Sequence, residues 1–449
     1  MKALTVVTLA MFVGAGIAGA QEAKYKATWE SLDKRPLPEW FRDAKFGVFV
    51  VWGVYSVPAW GPKGTYAEWY GNRLEDKNGE TWKFHAATYG EKFQYQDFAP
   101  EFRAELFNPA EWADLIVRSG ARYVVFSAKY HDGFSMWPSA DSWNWNSVDV
   151  GPHRDVCGEL SDAVRARGLR MGFYYSLYEW YNPLYRADVK RYVSDHMLPQ
   201  LKDLVQRYKP DLLWPDGEWD HPSSVWRSAE FLAWLFNESS APKDVVVNDR
   251  WGNDCRNVHG GFATSEYGGI PEGRLIPEGR WEENQGMGAS YGYNRNENVD
   301  DYRSATQLIH LLINAASRGG NLLLDVGPTA DGRIPVIMQQ RLIEIGDWLK
   351  VNGEAIYGTR AWRVAADGDS VRYTAKDDTV YAICLKWPGN DLALHGVKAK
   401  PGASATMLGR DGALQVRAEG DTVHFAVPAL TPADAPCGHA YVFKLTNVE

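Results

Sequence analysis

The chain has 449 residues, 45% of them hydrophobic, which is enough for a substantial core and points to two domains rather than one. A net charge of −9 argues against nucleic acid and anionic membrane surfaces as partners. Twenty Trp and 23 Tyr exceed ordinary usage and suit either a large aromatic core or a cleft that stacks rings against sugars.

The first 20 residues read as a secretory signal peptide. Lys2 supplies positive charge, residues 3–17 are apolar, and Ala18-Gly19-Ala20 forms a small-residue cleavage site. The apolar run is short for a membrane span. The mature chain is therefore expected to begin at Gln21 and to be secreted or periplasmic. The four cysteines show no C-x-x-C spacing, so no zinc site is expected, although Cys384 and Cys437 could pair in an oxidising compartment. Asn237-Glu238-Ser239 fits the glycosylation pattern.

In chain order, residues 45–52 (KFGVFVVW) form the first apolar strand. A long aromatic and polar insertion over 56–108 follows and carries Glu68-Trp69-Tyr70. Pro109 opens a helix, and residues 123–127 are the second strand, running into Lys129-Tyr130-His131-Asp132-Gly133. Residues 155–167 read as a helix, 170–176 as the third strand, and 187–208 as one long amphipathic helix stopped by Pro210. The fourth strand, Leu212-Leu213-Trp214-Pro215-Asp216, ends abruptly on a carboxylate and Gly217. Residues 245–248 are the fifth, with the sixth and seventh near 262–266 and Trp281. A helix over 301–317 precedes the last strand, 321–326 (NLLLDV), and a final helix spans 338–351.

Alternating strands and helices without hairpin signals imply an α/β fold, a closed (β/α)8 TIM-like barrel over residues 21–354. From about 355 to 449 the periodicity changes to two between Gly-, Asp- and Pro-rich turns. That pattern predicts a small C-terminal antiparallel β-sandwich.

In such a barrel the C-terminal strand ends form the active face. Asp216 is thus aimed at substrate, whereas strand geometry turns Glu218 away. Hydrolysing a glycoside requires two carboxyls across one bond. Candidates for the second are Glu266 and Glu282, both following Asn248-Asp249-Arg250-Trp251, whose arginine can hold a carboxylate or a sugar hydroxyl.

Eight stretches in order carry a resemblance: WFRDAKFGVFVVWGVYSVPAW, EWY, HDGFSMW, NSVDVGPHRD, FYYS, LLWPDGEW, VVVNDRWG and NLLLDVGPTADGRIP. Over nearly all of its mature length the chain resembles the α-L-fucosidase family, glycoside hydrolase family 29. The resemblance implies a barrel followed by a β-sandwich and an exo-acting, retaining enzyme needing no metal or organic cofactor. By position it makes Asp216 the nucleophile and Glu266 the acid/base, with Glu282 in reserve. It puts Glu68, Trp69, His131, Tyr174 and Arg250 in contact with the sugar, and Val51, Trp52 and Tyr130 beside them.

Two departures stand out. Where the family usually has F-x-x-H-W-G, this chain has Phe49-Val50-Val51-Trp52-Gly53, and where it usually has H-H-D-G-F, this chain has Tyr130-His131-Asp132-Gly133-Phe134. In the family the two replaced histidines resemble donors to ring hydroxyls, including the axial O4 of fucose. A site built around such a hydroxyl discriminates by roughly 10⁴–10⁵. Val51 and Tyr130 therefore favour a terminal α-L-hexoside altered at C4 or C6, such as an α-L-glucoside, with ordinary α-L-fucosidase as the alternative. A non-catalytic exported sugar-binding protein on the same scaffold is a third reading. The expected partner is a carbohydrate with a terminal α-L-linked hexose, not nucleic acid or membrane.

Overall fold

The computed structural model describes residues 24–268, 279–431 and 433–449; the expected signal segment lies outside them. Eight parallel strands form one curled sheet. They are β1 (Phe46–Val50), β2 (Tyr123–Lys129), β3 (Arg170–Ser176), β4 (Leu212–Asp216), β5 (Val246–Val247), β6 (Ala263–Glu266), β7 (Trp281–Gly286) and β8 (Asn321–Val326). Their order is β5-β4-β3-β2-β1-β8-β7-β6. The strands are almost wholly buried, because helices cover one face and side chains fill the other.

Full closure, as expected from the alternation, is not what forms. Strands β5 and β6 do not pair in the sheet; a backbone bond from Gly261 N to Val247 O (3.1 Å) joins the chain there. Strand β5 is only two residues long, and residues 248–262, between β5 and β6, contain no helix. That seam is built of loop, and the loop carries Arg250 and Arg256 to the strand ends.

Local signals explain where most helices begin and end. Pro109–Ser119 starts on Asn108, whose side chain accepts from Ala110 N and Glu111 N, and stops at Gly120 with φ 84°. Ser304 and Gln307 cap each other reciprocally at the start of Ala305–Ser317. The expected single helix over 187–208 is interrupted. A π-turn at Val193–Met197 separates Val189–Tyr192 from Leu198–Tyr208, just ahead of Pro199, which lacks the N–H that an unbroken α-helix requires.

The C-terminal strands form two antiparallel sheets, one of six strands and one of three. Alternation along Thr379–Cys384 shows how they are placed. Val380, Ala382 and Cys384 face a core shared with Phe425 of the smaller sheet, while Tyr381 and Ile383 join the barrel core. Trp348 Nε1 donates to Ala440 O (2.9 Å), tying the last barrel helix, Val336–Asn352, to this unit. All four cysteines are free thiols, including Cys384 and Cys437. The Asn237 amide is engaged at both ends by the backbone of Tyr25. Among the described residues no helix is long and apolar enough to cross a membrane.

Candidate active site

A pocket with about 440 Å³ of atom-free space opens at the C-terminal strand ends. Asp216, the last residue of β4, reaches it with 7% of its surface exposed. Arg250 Nη1 donates to its Oδ1 at 2.6 Å and Tyr174 OH to its Oδ2 at 3.0 Å. His131 Nε2 lies 3.6 Å from Oδ2 and Arg256 Nη2 3.8 Å from Oδ1. Burial by itself would raise the Asp216 pKa, but the guanidiniums of Arg250 and Arg256 outweigh it and hold the carboxyl below the ordinary range. Asp216 is a preformed carboxylate.

Arg250 organises the centre. Its Nε donates to Thr264 Oγ1 (2.9 Å), and Thr264 in turn donates to Asp249 Oδ1 (2.8 Å), which fixes the plane of the guanidinium. The guanidinium carbon sits 4.3 Å from the centre of the Trp214 ring. Nη2 then ion-pairs with Glu266 Oε1 at 2.5 Å. One buried guanidinium thus spans Asp216 and Glu266, and Glu266, with its side chain 32% exposed, is the more open of the two.

The walls are aromatic. Tyr130 stacks on Tyr174 (centroids 5.7 Å, 20°), and Trp69 and Trp219 meet His131 at 5.3 Å each. Burial lowers the His131 pKa to about 4 despite Asp216, so its imidazole is neutral. Ser176 donates its one hydroxyl proton to Tyr178 O, so it accepts from His131 Nδ1 (2.6 Å) and leaves Nε2 as an acceptor facing the pocket. Glu68 is fully buried; Oε2 accepts from Ser290 Oγ and Gly292 N, and Oε1 has no partner among the described residues. Burial raises its pKa to about 7.

Comparison with known proteins places the chain in a family. A profile described as Alpha-L-fucosidase matches residues 15–354, and one described as Alpha-L-fucosidase C-terminal domain matches 367–446. The chain belongs to the α-L-fucosidase family. The Rattus norvegicus tissue alpha-L-fucosidase is 46% identical, covering 98% of this chain and 96% of its own length. The Homo sapiens tissue alpha-L-fucosidase is 45% identical with the same coverage. The Thermotoga maritima alpha-fucosidase in complex with a mechanism based inhibitor superposes with a TM-score of 0.83 at 36% identity, covering 94% of this chain and all of that one. This member of the family is a glycoside hydrolase that acts on carbohydrate. The expectation of an α-L-glucoside draws no support from these relatives, all of them named fucosidases.

Of the positions that the family resemblance singled out, Val51, Glu68, Trp69, Tyr130, His131, Tyr174, Asp216, Arg250 and Glu266 all line the pocket. Trp52 does not. Successive side chains leave a strand on opposite faces, so Trp52 turns into the core, packing on Phe102, Phe107 and Trp112 and donating from Nε1 to Thr329 O. Glu282 also lies away from the pocket. Register pairs Glu266 with Asn284 at the mouth and Glu282 with Thr264 one layer below. There Glu282 is wholly buried, accepting from Tyr123 OH and from Trp214 Nε1 (2.8 Å). Glu218 is turned away as expected, bound to Arg256 Nε at 2.5 Å.

The pocket also includes Phe49, Tyr66, Asn284 and Tyr291, which sequence reasoning did not single out. Asn284 was within reach of it, because it lies two residues after Glu282 and so shares that strand face. Tyr66 and Tyr291 come from loops, where no periodicity exists to mark them.

The Glu282 pKa is raised to about 7 by burial, against an ordinary 4.5. The folded state therefore binds its proton more tightly than the unfolded chain. That contribution to stability is complete below about pH 4.5 and is lost as pH rises through about 7. Glu282→Gln, neutral at every pH, should melt close to wild type at pH 5. At pH 8 it should be more stable by on the order of 3 kcal/mol. Thermal unfolding at the two pH values checks this, and turnover should survive the change.

Proposed function

We propose that this protein is an exported, exo-acting, retaining α-L-fucosidase that removes terminal α-L-linked fucose by double displacement. The observation that carries the reading is the shared guanidinium: Arg250 contacts Asp216 at 2.6 Å and Glu266 at 2.5 Å in one aromatic-walled pocket. Retaining glycosidases keep their two carboxyls roughly 5–5.5 Å apart, and inverting ones roughly 6.5–9.5 Å. A pair bridged by one guanidinium suits the shorter spacing.

In this mechanism Asp216 attacks the anomeric carbon while Glu266 gives its proton to the departing glycosidic oxygen. A water then enters on Glu266, loses a proton to it, and displaces Asp216 from the sugar. Two inversions return the original anomeric configuration. Arg250 and Tyr174 keep Asp216 ionised and aimed, and His131 Nε2 and Glu68 Oε1 accept from sugar hydroxyls. Residues 1–20 act as the signal peptide in this reading.

A second reading concerns the sugar. Val51 and Tyr130 both line the pocket, where the family pattern has histidines. Val51 offers an apolar wall, whereas Tyr130 presents a phenol with no hydrogen-bond partner among the described residues. Burial keeps that phenol protonated, so it is a donor. Burying a hydroxyl without a partner costs about 1–3 kcal/mol, which would weaken an axial O4 and spare an L-sugar whose O4 is equatorial. A panel of nitrophenyl α-L-fucoside, galactoside, glucoside and rhamnoside separates the two. Val51→His with Tyr130→His should raise kcat/KM on the fucoside relative to the glucoside. A wild type that already prefers the fucoside by a wide margin rejects the second reading.

A further inference from the structure

The seam between β5 and β6 is crossed by residues 25–37, a segment pinned at both ends. Tyr25 bonds both ends of the Asn237 amide through its own N and O (2.9 and 2.8 Å), and Arg280 Nη2 donates to Arg35 O (2.8 Å). Between these points Leu32 and Leu37 are buried and line one apolar cleft with Leu232, Phe236, Val246 and Val247. About 340 Å³ of atom-free space remains in that cleft. The segment is therefore held over the seam by a few polar contacts more than by dense packing.

Those polar contacts fall on the loop that carries the two catalytic-site arginines. Asp33 accepts from His259 Nδ1 (2.8 Å) and from Gly260 N (3.4 Å). Trp29 lies flat on the His259 ring, with centroids 4.7 Å apart and 7° between planes. Its Nε1 donates to Ser223 Oγ (3.1 Å), and Ser223 binds both oxygens of Asp254, from N at 2.8 Å and from Oγ at 3.0 Å. The segment thus grips residues 248–262 at two places, one on each side of Arg256. From there the route to Arg250 is short. Gly260, at φ 109°, rests on the backbone just before Arg250; a Cβ there would lie 2.4 Å from Asn248 O and 3.0 Å from Asp249 Cα. Gly252, two residues after Arg250, rests on Ser223, where a Cβ would lie 2.3 Å from N. Arg250 stands between these two contacts.

Resting on the α-L-fucosidase reading, we propose that Asp33 and Trp29 are positioning residues: they fix the 248–262 loop and so set Arg250 on Asp216 and Glu266, and Arg256 beside Asp216. A misplacement of about 1 Å far from the chemistry can cost roughly 10²-fold in rate, and a loop without a helix has little else to hold it to that tolerance. The loop also supplies the positive charge. Among the described groups facing Asp216, Arg250 and Arg256 are its cations, whereas His131 is neutral, Tyr174 is a phenol, and Glu218 and Glu266 are acidic. A loop that recedes therefore leaves Asp216 harder to ionise.

The test uses the full-length protein with Asp33→Ala and Trp29→Ala made singly, Asp33→Asn as the conservative control, and thermal unfolding to confirm folding. The Asp33 side chain is 34% exposed, so its removal leaves no buried hole. kcat/KM for nitrophenyl α-L-fucoside is followed against pH, because its acid limb reports the essential carboxylate of the free enzyme. Asp33→Ala should lower kcat/KM by about tenfold, mostly in kcat, and move the acid limb up by about half a pH unit or more. Trp29→Ala should act in the same direction, and Asp33→Asn, which keeps one acceptor oxygen, should fall between Asp33→Ala and wild type. Amide hydrogen exchange over residues 248–262 should quicken in step. A uniform fall in activity with the acid limb unmoved reports only lost folded protein and overturns the proposal, whether or not exchange changes. A wild type inactive on every fucoside removes the α-L-fucosidase reading, and exchange over 248–262 then decides alone whether Asp33 holds the loop.

Discussion

Asp216→Gly should lower kcat on an activated aryl α-L-fucoside by on the order of 10⁴-fold or more, and added azide should restore turnover. In the proposed mechanism this carboxylate forms the covalent bond. Arg250, Tyr174 and His131 all converge on its two oxygens. Removing the side chain leaves a gap beside Arg250 that a small anion can enter. Azide then attacks the anomeric carbon directly, and one inversion gives a β-configured glycosyl azide. The measurement is the azide dependence of kcat with identification of the product's anomeric configuration. Near-wild-type activity without azide would remove Asp216 from the nucleophile's role.

Glu266→Ala should separate substrates by their leaving groups. Proton donation contributes roughly 10²–10⁴ when the departing oxygen is a poor leaving group, and little when it is already activated. Loss on a fucosyl disaccharide should therefore approach that range, while a dinitrophenyl fucoside is much less affected in the first step. In the variant Arg250 Nη2 would be left without the 2.5 Å ion pair, so Glu266→Gln, which keeps an oxygen there, is the control for Arg250 displacement. Should Glu282→Ala give this signature in its place, the two glutamates exchange roles. That outcome would require Glu282 to act from beneath Trp214, one layer below the pocket.

Much of this was legible before the fold was known. The apolar run that stops on Asp216 marks a buried strand aimed at the barrel mouth, because burial on both faces leaves a continuous apolar signature and a carboxylate at its end has only one way out. The change of period near residue 355 marks a unit of alternating strands, and two antiparallel sheets follow from Arg360 onward. Capping residues such as Asn108 and Ser304 mark helix starts, because the hydrogen bonds they make are local. The eight ordered stretches carried the family itself.

Other features depend on residues far apart in the chain. Whether Glu266 or Glu282 reaches the pocket is set by the register of β6 against β7, which local sequence does not encode. The turn of Trp52 into the core depends on where β1 ends relative to Phe102, Phe107 and Trp112. Closure of the barrel gives way at β5 because only two residues there keep strand geometry, a balance between loop and sheet that apolar content does not reveal. The bridge from Arg250 to both carboxylates joins two strand ends through the loop after β5, across 34 and 16 positions. Composition, period and caps are short-range properties, so the chain alone determined its elements, its domain types and its family. Register, layer and the meeting of Asp33 with His259 are long-range contacts, so only the tertiary structure decided which residues share the site.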